Sequence, residues 1–377
     1  MNLFQLNIPT KVYYGRNIIQ DVLKKERNLF KGNVLIVTTG RSLIRLGYLE
    51  KLKEEIVTIT TAENITIFDN ISANPRLAEV KEGIALGKGK NIDVVIGFGG
   101  GSAMDAAKAI AAGIGLDEDV DVCFYGGKEP GKETLPIIAI PTTAGTGSEL
   151  SKAAIITDDI KKIKGGIRGE AVYPTLAIVD SVFTESVPRK ITMETGFDVL
   201  AHAIESYVSK AASPYTEMLS EQAIRLVGKY LPRLAEDLYD VEARQHMSFA
   251  SMIMGINLGN ASTALPHRMQ YPLGAHTDTS HGAGLAALFS AWVHYETIYS
   301  PEKMKRVVEL LTGNETLDVE KSIEEFIKSL ELPMTLRELN VKEEHLALMA
   351  AEVTGNVQND PASQEEDVIL KIYKEAF

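Results

Sequence analysis

Val94-Val95-Ile96-Gly97-Phe98-Gly99-Gly100-Gly101-Ser102-Ala103-Met104-Asp105 is the stretch that decides the architecture of this chain. A short β-branched run ends in glycines, and residues 102–112 then carry apolar side chains at helical spacing. In a strand, glycine turn and helix, backbone amides can close on a phosphate while the helix N-terminus favours its charge. Alone, such a turn is also an ordinary tight connection, so its neighbours matter. They repeat the alternation: 34–37, 65–68, 93–96, 137–140 and 177–179 read as strands, and 42–55, 74–88 and 102–112 as helices. Strand–helix alternation predicts a parallel sheet covered on both faces. After Asp180 the short apolar runs stop, and helical patterns fill 190–209, 215–230, 240–258, 283–298, 302–312, 319–330, 343–354 and 364–375. The expected organisation is a Rossmann-like α/β domain over 1–183 and an all-helical domain over 184–377.

Composition narrows the function. The chain has 377 residues, 45% hydrophobic and 24% charged, the balance of a globular protein of two domains. Its 39 Lys and Arg against 51 Asp and Glu leave a net charge of −12, a poor match to nucleic acid or an anionic membrane. No apolar run is long enough to span a bilayer, and the N-terminus lacks a basic start followed by an apolar stretch. A single cysteine, Cys123, excludes an internal disulfide framework and points to a reducing, cytoplasmic setting.

Two further stretches carry chemistry. Pro141-Thr142-Thr143-Ala144-Gly145-Thr146-Gly147-Ser148-Glu149-Leu150 follows a strand and offers hydroxyls and accessible amides, although turn residues gather in any loop. Thr195-Gly196-Phe197-Asp198-Val199-Leu200-Ala201-His202-Ala203-Ile204-Glu205 reads as a semi-buried helix that projects Asp198 and His202 from one face, a turn apart. A carboxylate and an imidazole so placed can grip a divalent metal. On spacing alone such a pair is more often a surface pair or a satisfied core histidine. Three of the seven histidines fall within 267–281, and Asp198, His202, His267 and His281 would together present one oxygen and three nitrogens, a set suited to iron(II) or zinc. Glu118 and Asp119 stand near the spacing of a ribose-binding acid but lie in a polar, loop-like run, so no ribose contact is assigned to them.

Gly-Gly-Gly-Ser-x-x-Asp-x-x-Lys at 99–108, Pro-Thr-Thr-Ala-Gly-Thr-Gly-Ser-Glu at 141–149, Thr-Gly-Phe-Asp-x-Leu-x-His-Ala-Ile-Glu at 195–205 and Pro-Leu-Gly…His-Gly at 272–282 occur in one order. Together they resemble the iron-containing (group III) alcohol dehydrogenase family, close in fold to glycerol dehydrogenase and dehydroquinate synthase. The resemblance covers about residues 7 to 300 and reaches Pro333–Leu339. It implies a nucleotide-binding domain, a helical domain, and cofactor and metal held in the cleft between. It also implies metal ligation by Asp198, His202, His267 and His281. Pyrophosphate contact is implied at Gly99, Gly100, Gly101, Ser102, Ala103 and Met104, and further nucleotide contact at Asn74, Thr142, Thr143, Ser148, Leu150 and Lys164.

Two positions depart from the family pattern. Many members carry an Asp in the loop after the second strand, where it holds the ribose hydroxyl and disfavours a 2′-phosphate. Here Gly40 takes that place, and Arg41 and Ser42 can meet a phosphate, so NADP(H) is expected over NAD(H). Many members also carry a second histidine four residues after the third ligand, credited with proton relay. Here it is Tyr271, on the same helical face as His267, with an ordinary pKa near 10; His276, water or the ribose are other routes for that proton. The expected activity is metal-dependent, NAD(P)(H)-linked interconversion of a small alcohol and its aldehyde by a homodimer or larger homo-oligomer, with Fe(II), Zn or another divalent ion. The alternatives are a reductase of an acidic keto or hydroxy-acid substrate, for which Arg268 is the available cation, a lyase or cyclase of the same fold, and a non-catalytic assembly or sensing protein.

Overall fold

The computed structural model describes residues 3–314, 316 and 318–377. The chain divides into two compact units: one holds Ile8–Thr143 and Ser148–Ser186, the other the stretch up to Asn7, Ala144–Gly147 and Val187–Phe377. A short segment of the hydroxyl-rich loop thus belongs with the helical unit.

The first unit contains strands β1 (Lys11–Gly15), β2 (Val34–Thr39), β3 (Ile65–Ile71), β4 (Val94–Gly99), β5 (Ile137–Pro141), β6 (Ala153–Asp158), β7 (Ile163–Arg168) and β8 (Leu176–Asp180). Its helices are α1 (Ile19–Lys25), α2 (Ser42–Arg45), α3 (Tyr48–Val57), α4 (Leu77–Gly89), α5 (Gly101–Gly115) and α6 (Asp121–Phe124). Six strands pair in parallel in the order β1-β8-β5-β4-β2-β3, while β6 and β7 form a separate antiparallel hairpin. Side chains alternate across the sheet, and both faces are covered. Val34, Ile36, Val94, Ile96, Ile138 and Ile178 pack with Leu23, Leu52 and Ile56 on one face. Leu35, Val37, Val95 and Ile137 pack with Val80, Ala107 and Ile110 on the other. Burial on both sides is why these strands read as continuous apolar runs.

Register brings the C-terminal ends of the parallel strands level: Gly97 lies opposite Ala139 and Val37, Gly99 opposite Pro141, and Thr39 opposite Ile71. The loops leaving β2, β3, β4 and β5 therefore emerge at one edge, where open parallel sheets bind ligands. Gly97 is needed for the packing beneath that edge. A Cβ there would stand 2.8 Å from Met104 Cα, so only glycine lets α5 settle this closely on β4.

Several expected boundaries move. Gly47, at φ 73°, divides the expected 42–55 helix into α2 and α3. The helix expected from Asn74-Pro75 begins only at Leu77, because the Pro75 carbonyl accepts from Thr157 N at 2.9 Å and the Glu79 carboxylate turns back to Arg76 N at 2.9 Å. Strand β1 and the β6–β7 hairpin were not anticipated; Gly165 and Gly166 dilute the alternation that would mark β7.

The second unit is helical: α7 (Arg189–Val208), α8 (Pro214–Glu236), α9 (Val241–Asn260), α10 (Leu265–Thr277), α11 (His281–Tyr299), α12 (Pro301–Thr312), α13 (Val319–Ser329), α14 (Leu346–Ala351) and α15 (Val368–Glu375). Helix α10 was not delimited from sequence, since Pro266, Pro272 and its histidines interrupt the apolar period. The last two are shorter than the 343–354 and 364–375 patterns: α14 is preceded by a 3-10 turn at Glu343–His345, and α15 starts only after Asp367 at φ 54°. Among the described residues no helix is long and apolar enough to cross a membrane.

Candidate metal centre and nucleotide loops

Helix α7 is buried over most of its length, including Phe197, Leu200, Ala201 and Ile204. Asp198 and His202 share that burial. His267 enters from the first turn of α10, and His281 opens α11. The Asp198 Oδ1 atom lies 3.3 Å from His267 Nε2, 3.6 Å from His281 Nε2 and 3.6 Å from His202 Nδ1. One ligand atom each from Asp198, His267 and His281 fits within a 4.8 Å span that a single ion can occupy. His202 stands beside this trio, its ring stacked on that of His267 at 4.3 Å.

The donor set is suited to a cation. Asp198 Oδ1, His202 Nδ1 and His267 Nε2 are all buried without a hydrogen-bond partner. Lone pairs buried in this way are costly unless something positive meets them. Burial alone would raise the Asp198 carboxyl, but the imidazoles of His202, His281 and His267 hold it well below the usual carboxylate range. Burial pushes His202 down to about 4 although the Asp198 carboxylate pulls the other way. At His267 burial is outweighed by the carboxylates of Glu205 and Asp198, which push it up to about 10.

Each imidazole is oriented through its second nitrogen, as ligating histidines require. Glu205 Oε1 sits 2.5 Å from His267 Nδ1, and Glu205 Oε2 accepts from Ala264 N at 2.7 Å. Gln270 Oε1 sits 2.6 Å from His281 Nδ1. His202 bonds to the Gly145 backbone in the hydroxyl-rich loop. Gly147 lets that loop approach α9: at φ 59°, its Cβ would lie 2.6 Å from Gly255 Cα. Glu205 and Gln270 were not assigned from sequence. Glu205 was legible only as part of a quoted motif, and Gln270 carried no signal.

In the first unit, the glycine turn meets two other expected contacts. Thr142 N donates to Gly99 O at 2.8 Å. A Cβ at Gly100 would come 3.2 Å from Thr143 Oγ1. Ser102 Oγ donates to the Ala73 carbonyl, and Lys164 Nζ donates to Asn74 Oδ1 at 3.2 Å. Gly101, Ser102, Ala103 and Met104 form the first turn of α5, with Ala103 and Met104 buried. Ser148 and Leu150 lie in a buried 3-10 turn. Gly40, at φ 59°, and the exposed Arg41 follow β2, and Ser42 opens α2. Under these loops, fully buried Lys108 donates to Ser148 Oγ at 2.7 Å, Ser151 Oγ at 3.1 Å and Ala153 O at 2.8 Å. Asp105 accepts from Ser148 Oγ at 2.5 Å and Ile155 N at 2.9 Å. Glu118 and Asp119 are engaged with Lys128 and Lys81.

Tyr271 is half-buried on α10, one turn beyond His267. His276 is 2.5 Å from Glu352.

Residues 9–181 match the family described as iron-containing alcohol dehydrogenase, and residues 192–377 match the C-terminal description of the same family. The chain belongs to the iron-containing alcohol dehydrogenase family. This alcohol dehydrogenase is 32% identical to the 1,3-propanediol dehydrogenase of Klebsiella pneumoniae, across 100% of this chain and 99% of that one. It is 32% identical to the NAD-dependent methanol dehydrogenase of Bacillus methanolicus, across 98% and 99%. Its fold superimposes with a TM-score of 0.90 on sulfoacetaldehyde reductase from Bifidobacterium kashiwanohense in complex with NAD+, at 27% identity over 100% and 99% of the two chains. The enzyme is thus an NAD(P)-linked oxidoreductase acting on CH–OH groups.

Proposed function

We propose that this alcohol dehydrogenase reduces a small aldehyde to its alcohol with NADPH, using Fe(II) held by Asp198, His202, His267 and His281. The observation that carries the reading is the set of buried, unpartnered Asp198 Oδ1, His202 Nδ1 and His267 Nε2 atoms, with both ring nitrogens within 3.6 Å of the carboxylate oxygen. A divalent ion bound there supplies Lewis-acid polarisation of a carbonyl group. The nicotinamide supplies the hydride. Glu205, Gln270 and the Gly145 backbone hold the three imidazoles in orientation. The backbone amides of Gly99–Met104 bind the pyrophosphate at the N-terminus of α5. Asn74, Thr142, Thr143, Ser148, Leu150 and Lys164 fix the rest of the nucleotide. Tyr271 Oη holds the proton destined for the product alkoxide.

The preference for NADPH rests on the loop after β2, where Gly40 offers no carboxylate and Arg41 offers a cation. Two of the relatives are named for NAD, so a preference for NADPH would distinguish this chain from them. Exposed Leu3, Phe4 and Leu6 give apolar surface that a second copy can cover, consistent with a homodimer. The buried single cysteine and net charge of −12 suit a cytoplasmic enzyme.

The test is purified protein stripped of metal, then supplied with Fe(II) or Zn(II), NADPH or NADH, and a panel of short aldehydes. Metal-dependent oxidation of NADPH, faster than that of NADH, is the expected result. Preference for NADH would remove the cofactor claim and leave the enzyme. Absence of metal-dependent turnover would reject the reading. Sedimentation of the same sample at twice the chain mass checks the dimer.

A further inference from the structure

Helix α10 carries His267 in its first turn but brings no cap of its own: the side chain before it, Ala264, offers no acceptor. Pro266 has no N–H to place. The other amides of that turn are met from distant parts of the chain. Glu205 accepts from Ala264 N at 2.7 Å and from His267 N at 3.5 Å. Asp360, fully buried and 95 positions away, accepts from Leu265 N at 2.8 Å through Oδ2. The same oxygen accepts from Trp292 Nε1 at 2.9 Å, and Oδ1 accepts from Ala362 N at 2.8 Å.

The residue beside Asp360 grips the stretch that leads into α10. Asn359 Nδ2 donates to Ala261 O at 3.1 Å and Thr263 O at 2.9 Å, while its Oδ1 accepts from Ser209 Oγ at 3.0 Å. Between those two carbonyls Ser262 sits at φ 64°, a left-handed conformation that a side chain adopts only where its surroundings impose it. Three donors converge on Asp360, which marks it as the ionised acceptor. Glu296 shares the Ala362 amide, at 3.3 Å. Burial raises both carboxyls, and with the Asp360 charge beside it Glu296 is pushed up to about 9, so Glu296 is the protonated neighbour. The Asp360 charge faces the positive end of α10, where it is favourable.

We propose that Asp360 is a positioning residue for the metal centre: its bond to Leu265 N fixes the first turn of α10 and with it the place of His267 Nε2. This inference rests on the reading of Asp198, His202, His267 and His281 as metal ligands. Leu265 precedes His267 by two residues, about 3 Å along the helix axis, so a displaced first turn takes the imidazole with it. A metal–ligand distance tolerates a change of only about 0.2 Å. Trp292 supplies an internal comparison, because it bonds the same Asp360 oxygen from α11 and leaves the Leu265 bond in place when removed.

The test uses the full chain stripped of metal and titrated with Co(II) against a chromophoric chelator. The visible absorption of the bound ion reports its coordination, and circular dichroism reports the fold. Asp360→Ala is expected to bind Co(II) about tenfold or more weakly than wild type, with a shifted visible spectrum and unchanged circular dichroism. Asp360→Asn restores part of the affinity, since one amide oxygen cannot serve all three donors. It stays about threefold or more below wild type. Trp292→Phe lowers the urea midpoint but keeps the spectrum, and its Co(II) affinity stays within about twofold of wild type. Wild-type affinity or an unshifted spectrum in Asp360→Asn overturns the proposal, also where Asp360→Ala does not fold. An equal loss in Trp292→Phe overturns it as well, because general loosening would then explain the effect. Co(II) binding that ignores Asp360 removes this inference alone, whereas failure of the wild-type protein to bind Co(II) removes the parent reading too.

Discussion

Glu205 Oε1 lies 2.5 Å from His267 Nδ1, with both residues buried, and the other Glu205 oxygen holds Ala264 N at the start of α10. One carboxylate thus sets both the orientation of an imidazole and the position of the helix that carries it. Glu205→Gln keeps an acceptor but removes the charge behind the ring. The expected outcome is a metal affinity lower by about 10- to 100-fold with the fold retained. Competition against a chelator, read alongside circular dichroism, checks this; undiminished affinity in a folded variant would show that Glu205 is only a helix-end contact.

Lys108 is enclosed completely and spends its donors on Ser148, Ser151 and the Ala153 carbonyl, 3.5 Å from Asp105. Removing one partner of a buried charged network leaves the other uncompensated. Lys108→Met is expected to cost about 3 kcal/mol of stability and to loosen the turn containing Ser148. Urea unfolding reads the first effect, and titration with NADPH reads the second. A stability within about 0.5 kcal/mol of wild type would place the network among neutral features.

Glu149 is buried beside this network, and burial pushes its carboxyl up to about 7 although its own backbone amide and Lys108 pull the other way. Its folded-state pKa is above the unfolded value, so the folded chain holds the extra proton between about pH 4.5 and 7. That contribution is fully present below the unfolded pKa and is lost as pH rises through the folded one. Wild type should lose on the order of 2–3 kcal/mol from this group between pH 5 and 8. Glu149→Gln should lose correspondingly less over the same interval. Equal pH slopes for the two proteins in urea unfolding would mean that Glu149 ionises normally.

Much of this was legible in the sequence because it is local. The strand–glycine–helix unit around Gly97 and the i, i+4 pair of Asp198 and His202 lie within a few residues of their own signals. Four ordered motifs brought the family and its two-part fold into view. What escaped depends on partners far apart in the chain. Glu205 meets His267 across 62 positions, and Lys108 meets Ser148 across 40. Neither distance leaves a period to read. Helix α10 escaped because Pro266, His267, Pro272 and His276 displace the apolar residues that would announce it, and β7 because paired glycines weaken its alternation. The helix start at Asn74 was misplaced by a tertiary effect: Thr157 claims the Pro75 carbonyl.

The loop after β2 offers the sharpest test of cofactor choice. Gly40 sits at φ 59°, and a Cβ there would meet nothing within 4 Å. Asp is among the residues that tolerate this left-handed conformation, so Gly40→Asp can add a carboxylate without displacing a neighbour. That carboxylate would oppose a 2′-phosphate and accept from a ribose hydroxyl, so NADPH binding should weaken by about 10- to 100-fold while NADH binding weakens less or improves. Arg41→Ala attacks the same contact from the other side by removing the exposed cation, and should weaken NADPH more than NADH. Fluorescence titration of both reduced nucleotides reads the ratio directly and needs no substrate. A ratio unmoved by either substitution would detach the loop from the 2′ position and remove the argument for NADPH. A ratio moved by Gly40→Asp alone would mean that repulsion by an acid, and not attraction by Arg41, acts at the 2′ position.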